Sequence, residues 1–414
     1  AWFDRWLKQP GETGYDTADT RLPADADWQA RYSFYKRSAR ALHQPLRQSF
    51  DLHRMSAQDA NVAEIVRDPS WFVTDYDAAR EALSFVRADR ATIAAQPFLD
   101  RRWKRDALAS RIAPLEAVAG ALPQDACPPA LNFIWHTSFC CSTLLADLLD
   151  LPGRNLSYRE PMALVSVADA KRASGFGGPP VPPRLLEAVL FFLARTPTGE
   201  QCLVKPSNFA NTLIEDVARK TPGRMLFLFA DLESFLISVE KGGDGLGKYV
   251  RRLFGNLARD RGGAPLPWPV HEILHMSDLE IAAVCWHLQM AQFERSAKAL
   301  GQDRIATLDC ADLLANPSSA LAHIASFFRL GFSEQDIANV VAGPALRRHA
   351  KQPAHAFDAA QRQRQAEDVR RRLGRDLPRI VEWSFRACRD TRASAGWPGP
   401  LQGAPKSLIA LGQD

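Results

Sequence analysis

The stretch that decides the fold is LNFIWHTSFCCSTLLADLLD, which runs from Leu131 to Asp150. Its first five residues form an apolar and aromatic run that is long enough for a buried strand. A short loop follows, and Ser142 and Thr143 then begin an apolar run with leucines at helical spacing, as helix N-caps would. A strand, a tight loop and a helix N-terminus bind phosphate or sulfate through free backbone N–H groups. An ordinary structural strand–helix turn gives the same pattern, so both interpretations stay open here.

The composition is that of an ordinary globular protein. The chain has 414 residues, of which 46% are hydrophobic and 24% charged, so one large or two modest domains are expected. The net charge of +5 suits an anionic small ligand and is too small to indicate nucleic acid. No apolar run is long enough to span a membrane. The seven cysteines lack regular spacing and form no zinc pattern, which predicts reduced thiols in the cytoplasm and no metal.

Helical and strand-like segments alternate throughout residues 131–330. This alternation predicts a mostly parallel α/β sheet that is covered by helices on both faces. Ligands of such sheets bind at the C-terminal ends of the strands, so the strand ends should surround one pocket. The predicted neighbouring strands are Asn132–Trp135, Cys202–Val204, Leu226–Phe229 and Ile305–Leu308.

The flanking regions predict a smaller N-terminal α+β region and a flexible tail. We expect an accessory region over residues 1–125, the α/β domain over 131–394 and the tail over 395–414. Within the accessory region, residues 1–24 should be loosely ordered. The other predicted elements there are helices over residues 25–50 and 91–112, and strands over residues 71–76 and 82–86. In the α/β domain, the segment KGGDGLG at residues 241–247 indicates a glycine-rich loop, which is weak evidence of phosphate binding.

Several segments between Asn132 and about Gln361 together resemble the P-loop sulfotransferases, especially the bacterial and Golgi-type branches. The stretch HTSFCCSTLL is similar to the family's 5′-phosphosulfate loop, and LVKPSN at residues 203–208 is similar to a strand end of the family. MLFLFADLESFLIS stands in the place of the 3′-phosphate element, and TLDCADLL with its continuation resembles a segment near the family's C-terminal end. The resemblance implies a P-loop NTPase-like three-layer sandwich with a parallel central sheet. It also implies transfer of a sulfuryl group from 3′-phosphoadenosine 5′-phosphosulfate (PAPS), without a metal, to a hydroxyl or amine of a small-molecule or glycan acceptor.

The resemblance also suggests roles for individual residues. Glu160 stands where branches of the family carry a catalytic Glu, and we interpret it as the base, with Lys205 as the cation at a strand end. Glu160 could instead cap a turn or pair with Arg159, and Lys205 could form a surface ion pair. The implied PAPS-binding residues are the loop residues Ser138, Phe139, Cys140, Cys141, Ser142 and Thr143, with Ser238 for the 3′-phosphate and Arg347, Arg348 and Lys351 in a basic C-terminal segment.

The chain departs from the family pattern at both ends of the expected nucleotide. Phe139 stands where the loop usually has Lys or Arg, and Cys141 where it has Gly. Ala230 replaces the Arg of the 3′-phosphate element. These departures leave two main hypotheses, an active divergent sulfotransferase and a non-catalytic module that binds a nucleotide or another protein. A kinase-like enzyme that uses ATP and magnesium is less favoured because the Walker Lys is absent. A thiol nucleophile at Cys140 or Cys141 lacks a partner His at a meaningful spacing.

Overall fold

The computed structural model describes residues 62–123, 130–260, 266, 268–300, 304–349, 352–356 and 359–388, and the side chains of all of these except 347–362. The segments predicted for residues 1–24, 25–50 and 395–414 lie outside the described residues. The strands are β1 Trp71–Asp77, β2 Ala82–Arg87, β3 Ser110–Pro114, β4 Asn132–His136, β5 Asn155–Arg159, β6 Gln201–Lys205, β7 Met225–Phe229, β8 Ile305–Asp309, β9 Arg348–His349 and β10 Gln352–Ala356.

Sixteen α-helices are present in the described part of the chain, together with short 3-10 turns at Asn208–Leu213 and Ala345–Arg347. The helices are α1 Val62–Arg67, α2 Arg90–Ala94, α3 Leu115–Ala121, α4 Ser142–Leu148, α5 Met162–Ser174, α6 Leu185–Leu193, α7 Ile214–Lys220, α8 Leu232–Lys241, α9 Gly243–Arg259, α10 Val270–His275, α11 Asp278–Leu300, α12 Cys310–Ala315, α13 Pro317–Phe328, α14 Glu334–Ala342, α15 Ala359–Leu373 and α16 Asp376–Ala387. None of the described helices is long and apolar enough to cross a membrane.

Five strands form one parallel sheet in the order β5-β6-β4-β7-β8. All four predicted strands are present and are neighbours in this order, with β5 added at one edge. The predicted α/β class with a parallel central sheet is therefore confirmed. Strands β4, β5 and β7 are buried along their whole length, as expected for a sheet that is covered on both faces.

The alternation of side chains along each strand supplies two separate layers of core. Phe133 and Trp135 of β4 belong to one hydrophobic cluster, whereas Ile134 belongs to the other. Helix α4 packs on the face of Ile134, through Leu144 and Leu145. The segments that follow β6 and β7 pack on the opposite face. Because the chain leaves β4 and its two neighbours toward opposite faces, the C-terminal end of β4 is the expected place for a ligand.

A three-stranded antiparallel sheet, β1-β2-β3, packs on the outer side of α5 and α6. The ring centroids of Phe85 and Phe192 lie 4.7 Å apart, and those of Phe72 and Tyr158 lie 5.2 Å apart. The buried residues of this sheet belong to the same hydrophobic cluster as one face of the parallel sheet. The strands predicted at residues 71–76 and 82–86 are confirmed as β1 and β2.

Two predicted elements are wrong. The helix expected over residues 91–112 ends at Ala94, because Pro97 cannot donate a backbone hydrogen bond and disfavours helical geometry at Gln96. The last residues of that range begin β3. The glycine-rich loop at residues 241–247 is largely the first turns of helix α9. There, burial of an apolar face outweighs the unfavourable helix propensity of glycine.

Candidate active site

The loop between β4 and α4 has an unusual backbone. The φ angles are 78° at Ser138, 54° at Phe139 and 59° at Cys141, all in the left-handed region. Successive residues of this kind turn backbone N–H groups into a concavity that suits an anion. Cys141 is the N-cap of α4 and caps no N–H with its side chain. Ser142 and Thr143 are therefore the first two helical residues and not the caps, because the left-handed turn at Cys141 starts the helix directly after it.

His136 supports this loop and is not available as a base. Its Nδ1 accepts a hydrogen bond from the backbone N–H of Ser138 at 3.1 Å, and its Nε2 lies 2.9 Å from the carbonyl oxygen of Pro206. A carbonyl oxygen only accepts, so the imidazole carries its proton on Nε2. The ring is buried and uses both nitrogens to join the loop to the residue that follows β6.

A chain of polar contacts lies beneath the loop. The hydroxyl of Ser138 lies 2.6 Å from that of Tyr249, which donates to Oδ1 of Asn208 at 2.8 Å. The amide of Asn208 in turn donates to Oε1 of Gln289 at 3.0 Å. The Phe139 ring packs edge-on against Phe235 and Tyr249, with centroids 5.3 and 5.8 Å apart. The Phe139 side chain therefore contributes packing where the family pattern has a cation.

The two cysteines of the loop have different surroundings. Cys140 is fully buried and donates its thiol hydrogen to the carbonyl oxygen of Leu228, with sulfur and oxygen 3.4 Å apart. Burial raises the pKa of Cys140 to about 11, so its thiol is protonated at neutral pH and is a poor nucleophile. Cys141 is partly exposed and interacts with the thiol of Cys310, the first residue of α12.

Glu160 and Lys205 meet at the ends of two neighbouring strands. Arg159 of β5 is paired with Lys205 of β6, and the N–H of Glu160 donates to the carbonyl oxygen of Lys205 at 2.7 Å. Glu160 has a left-handed backbone, with φ 55°. The Lys205 ammonium donates to Oε1 of Glu160 at 2.5 Å and lies 3.5 Å from Oγ1 of Thr143. Three residues predicted to belong to the site are thus brought together from the ends of β5 and β6 and from the first turn of α4.

The Lys205 side chain has 0% of its surface exposed and that of Glu160 has 15%, so the expectation of a surface ion pair for Lys205 is wrong. The expectation that Glu160 pairs with Arg159 is also contradicted. Arg159 instead pairs with Asp147 and Asp150, both near the C-terminal end of α4. Its other contact is the carbonyl oxygen of Ala94, 2.7 Å from Nη2.

The accessory region contributes a second cation, which the sequence prediction missed. Arg102 lies in the irregular segment before β3, and its Nη2 donates to Oε2 of Glu160 at 3.2 Å. Its guanidinium stands over the ring of Phe98, 3.5 Å from the centroid, and the Lys205 ammonium lies 5.6 Å from the same centroid. Pro97 and the basic run at residues 101–105 were the available signals. Because a helix was predicted over this segment, neither signal was interpreted as part of the site.

The expected 3′-phosphate end has a different character. The hydroxyl of Ser238 donates to the carbonyl oxygen of Ser234 within its own helix, at 2.9 Å. Asp231 and Asp309 cap helices α8 and α12 beside the position of Ala230. Burial, together with the charge of Asp231, raises the pKa of Asp309 to about 6. The ends of β7 and β8 thus carry carboxylates beside Ala230, which stands where the family pattern places an Arg.

The C-terminal basic segment is partly described. The turn Ala345–Arg347 packs on α4, and Arg348 begins β9, which pairs with β10. The side chains of Arg347 and Arg348 and the whole of Lys351 lie outside the described residues. Their proposed contact with a nucleotide therefore stays a prediction. Within the part of the chain that the structure describes, no group of three or more His, Cys, Asp or Glu residues is placed to hold a metal ion.

These features define an α/β protein with a polar site at the C-terminal edge of its parallel sheet. No protein-family model and no curated protein matches the chain. Among solved structures, it is similar to a sulfotransferase domain from the curacin biosynthetic pathway, with 11% identity over 59% of this chain and 97% of that one, and a TM-score of 0.36. It is also similar to the sulfotransferase domain from the Synechococcus PCC 7002 olefin synthase, with 14% identity over 63% of this chain and 96% of that one, and a TM-score of 0.34.

Proposed function

We propose that the protein is a sulfotransferase that transfers a sulfuryl group from PAPS to a hydroxyl or amine of a small-molecule or glycan acceptor in the cytoplasm. The observation that carries this proposal is the contact of Glu160, Lys205 and Thr143 beside the loop after β4. A fully buried ammonium is costly unless it is paired, and it gives a site a fixed positive charge. Such a charge suits a reaction in which a leaving phosphate becomes more negative.

The described residues fit one end of PAPS better than the other. At the phosphosulfate end, the left-handed loop, the Thr143 hydroxyl and the Lys205 ammonium would hold the anion. At the 3′-phosphate end, Ala230 supplies no charge, and Ser238 with Arg347, Arg348 and Lys351 would hold the group. Bound PAPS supplies the activated sulfuryl group and its leaving phosphate.

In this proposal, the two Glu160 oxygens have different tasks. Oε1 accepts from the buried Lys205 at 2.5 Å, whereas Oε2 accepts from the more exposed Arg102 at 3.2 Å. A carboxylate oxygen that accepts a proton must first give up such a contact. Because the Arg102 contact is longer and its side chain is 56% exposed, Oε2 is the oxygen that would accept the acceptor's proton. Lys205 would then hold Glu160 in place through Oε1.

A non-catalytic nucleotide-binding module is the second candidate. The observation that favours it is the aromatic packing of Phe139, which leaves the loop without its usual cation. A protein that only binds would tolerate this loss. An enzyme needs another cation during transfer, and in our proposal this is Lys205.

Lys205→Met separates the two candidates. We expect it to lower sulfuryl transfer from labelled PAPS at least about 100-fold and to weaken nucleotide binding by less than about tenfold, because a charge used mainly in the transition state affects turnover more than affinity. Glu160→Gln should lower turnover by roughly 100-fold with little change in binding. Binding is measured by calorimetry with adenosine 3′,5′-bisphosphate.

Lys220→Met is the matched control, since Lys220 is half-exposed on α7 and lies 3.9 Å from Glu187. It should change neither quantity. A thermal melt of each variant excludes unfolding as the cause of lost turnover. Undiminished transfer by Lys205→Met would rule out its proposed role, and a wild-type protein that binds the nucleotide but transfers sulfate to no acceptor would favour the binding module.

A further inference from the structure

The segment Phe98–Arg102 is held firmly against the candidate site although it has no regular secondary structure. The N–H of Leu99 donates to the carbonyl oxygen of Arg159 at 2.7 Å, and the N–H of Met162 donates to that of Leu99 at 3.1 Å. These two bonds bracket Glu160 on both sides. The Leu99 side chain is fully buried, and the next tryptophan, Trp103, packs on Phe72. The segment therefore forms a fixed wall beside Glu160.

Arg102 presents a fixed and partly unused guanidinium on this wall. Its Nε and Nη2 donate to the Asp100 carboxylate at 2.9 and 2.6 Å, and its plane is supported by the ring of Phe98. Within the described part of the chain, Nη1 has no hydrogen-bond partner, and 56% of the side chain is exposed. A guanidinium has five N–H donors in a rigid fork that matches carboxylate and phosphate groups. Two donors on Nη1 are thus available to a ligand.

The surrounding charge favours an anion. Arg101 and Lys104 are exposed next to Arg102, and residues 100–106 carry four basic and two acidic side chains. On this basis, and resting on the sulfotransferase proposal, we propose that the acceptor is an anion whose carboxylate, phosphate or sulfate group is bound by Arg102. This contact would place the acceptor's hydroxyl or amine next to Glu160. It would also draw Arg102 away from Oε2, the oxygen that accepts the proton.

Matched pairs of probes test this proposal without requiring turnover. The pairs are 4-hydroxyphenylacetate with 4-hydroxyphenylacetamide, and glucuronate with glucose; within each pair only the first carries a charge. Ligand-observed NMR measures their binding to the wild type, Arg102→Gln, Arg102→Lys and Arg101→Gln. We expect at least one anion to bind about tenfold or more tightly than its neutral partner, because charge-assisted hydrogen bonds contribute that much. The two pairs distinguish a phenolic acceptor from a sugar acceptor.

The variants assign the effect to one side chain. Arg102→Gln should weaken binding of the anion about tenfold or more, and Arg102→Lys should do so by less because it keeps the charge. Arg101→Gln removes the same charge one residue away and should change binding less than about twofold. Anions and neutral partners that bind alike, the absence of binding by either anion, or an Arg102→Gln variant that binds as the wild type would overturn the proposal.

The outcomes also separate this inference from the proposed function. Anion binding that depends on Arg102, in a protein that transfers no sulfate to any anion bound, would leave the binding site standing and remove the sulfotransferase. Sulfate transfer to neutral acceptors at the same rate in the wild type and Arg102→Gln would support the sulfotransferase and remove the proposed anion site at Arg102. The Arg102 side chain is half-exposed. An unchanged melting temperature of Arg102→Gln would show that the substitution has not unfolded the protein.

Discussion

Cys141 combines two unfavourable features at the first turn of α4. It adopts φ 59°, a conformation in which a side chain with a Cβ is strained by roughly 1–2 kcal/mol, and it caps no N–H group. Glycine has no Cβ and adopts this conformation without strain. The left-handed backbone at Cys141 thus explains why the sulfotransferase loop usually has glycine at this position.

We predict that Cys141→Gly raises the free energy of unfolding by about 1 kcal/mol, because it removes the left-handed strain. Cys141→Ala is the control, since it removes the thiol and keeps the Cβ. It should not stabilise the protein. Denaturant unfolding of the three proteins measures the difference, and an equal gain in both variants would assign the effect to the thiol and its contact with Cys310.

Two glycines of helix α9 have different surroundings. A Cβ added at Gly255 would meet no heavy atom within 4 Å, whereas one added at Gly247 would lie 2.0 Å from Oδ2 of Asp278. Asp278 also accepts from Nε of Arg251 at 2.5 Å. Gly247 therefore permits a close contact with α11, and Gly255 only lowers helix propensity.

We expect Gly255→Ala to raise the free energy of unfolding by about 0.5–1 kcal/mol, because alanine is the better helix former. Gly247→Ala should give no such gain, since Asp278 must move. Chemical denaturation of both variants measures this difference. Equal stabilisation would show that the contact of α9 with α11 does not depend on Gly247.

Asp309, the N-cap of α12, predicts a dependence of stability on pH. Its pKa is raised from 3.8 to about 6, first by burial, so the folded protein holds this proton more tightly than the unfolded chain does. Stability from this group is highest below about pH 4, falls as the pH rises to about 6, and stays lower above that.

Asp309→Asn keeps a good N-cap and removes the charge. We expect it to raise the free energy of unfolding at pH 7.5 by about 1–3 kcal/mol and to leave it nearly unchanged at pH 4. Asp89→Asn, at the exposed N-cap of α2 where the N–H of Thr92 lowers the pKa, should not stabilise the protein at pH 7.5. A gain of Asp309→Asn that is the same at both pH values would contradict this account.

At the scale of the whole molecule, the three-stranded sheet and the parallel sheet share one core. Phe85 and Phe192 join them, with 1% and 2% of their surfaces exposed and an edge-to-face contact. Through the same interface, the accessory region brings Arg102 to Glu160. The described part of this region thus belongs to the site as well as to the core.

We predict that Phe85→Ala and Phe192→Ala each lower the free energy of unfolding by about 3–5 kcal/mol. The double variant should lose about 0.5–1.5 kcal/mol less than the sum of the two single variants, because either single substitution already removes the contact between the two rings. Circular dichroism and tryptophan fluorescence should report the same transition in every variant. Two separate transitions would mean that the two sheets unfold independently.

The parallel sheet and the meeting of Glu160 with Lys205 could be predicted from local signals. Short apolar runs that alternate with helical segments, such as Met225–Phe229, indicate central strands, and parallel strands place the residues that follow them at one edge. Arg102 could not be predicted in this way. It is 58 residues from Glu160, and it reaches that carboxylate because two sheets pack on α5 and α6. The direction of the Phe139 ring likewise depends on α8 and α9.

Strand patterns and strand-end positions are properties of neighbouring residues, and the sequence by itself determined them. Contacts between distant loops depend on how whole layers pack, and only the tertiary structure decided them.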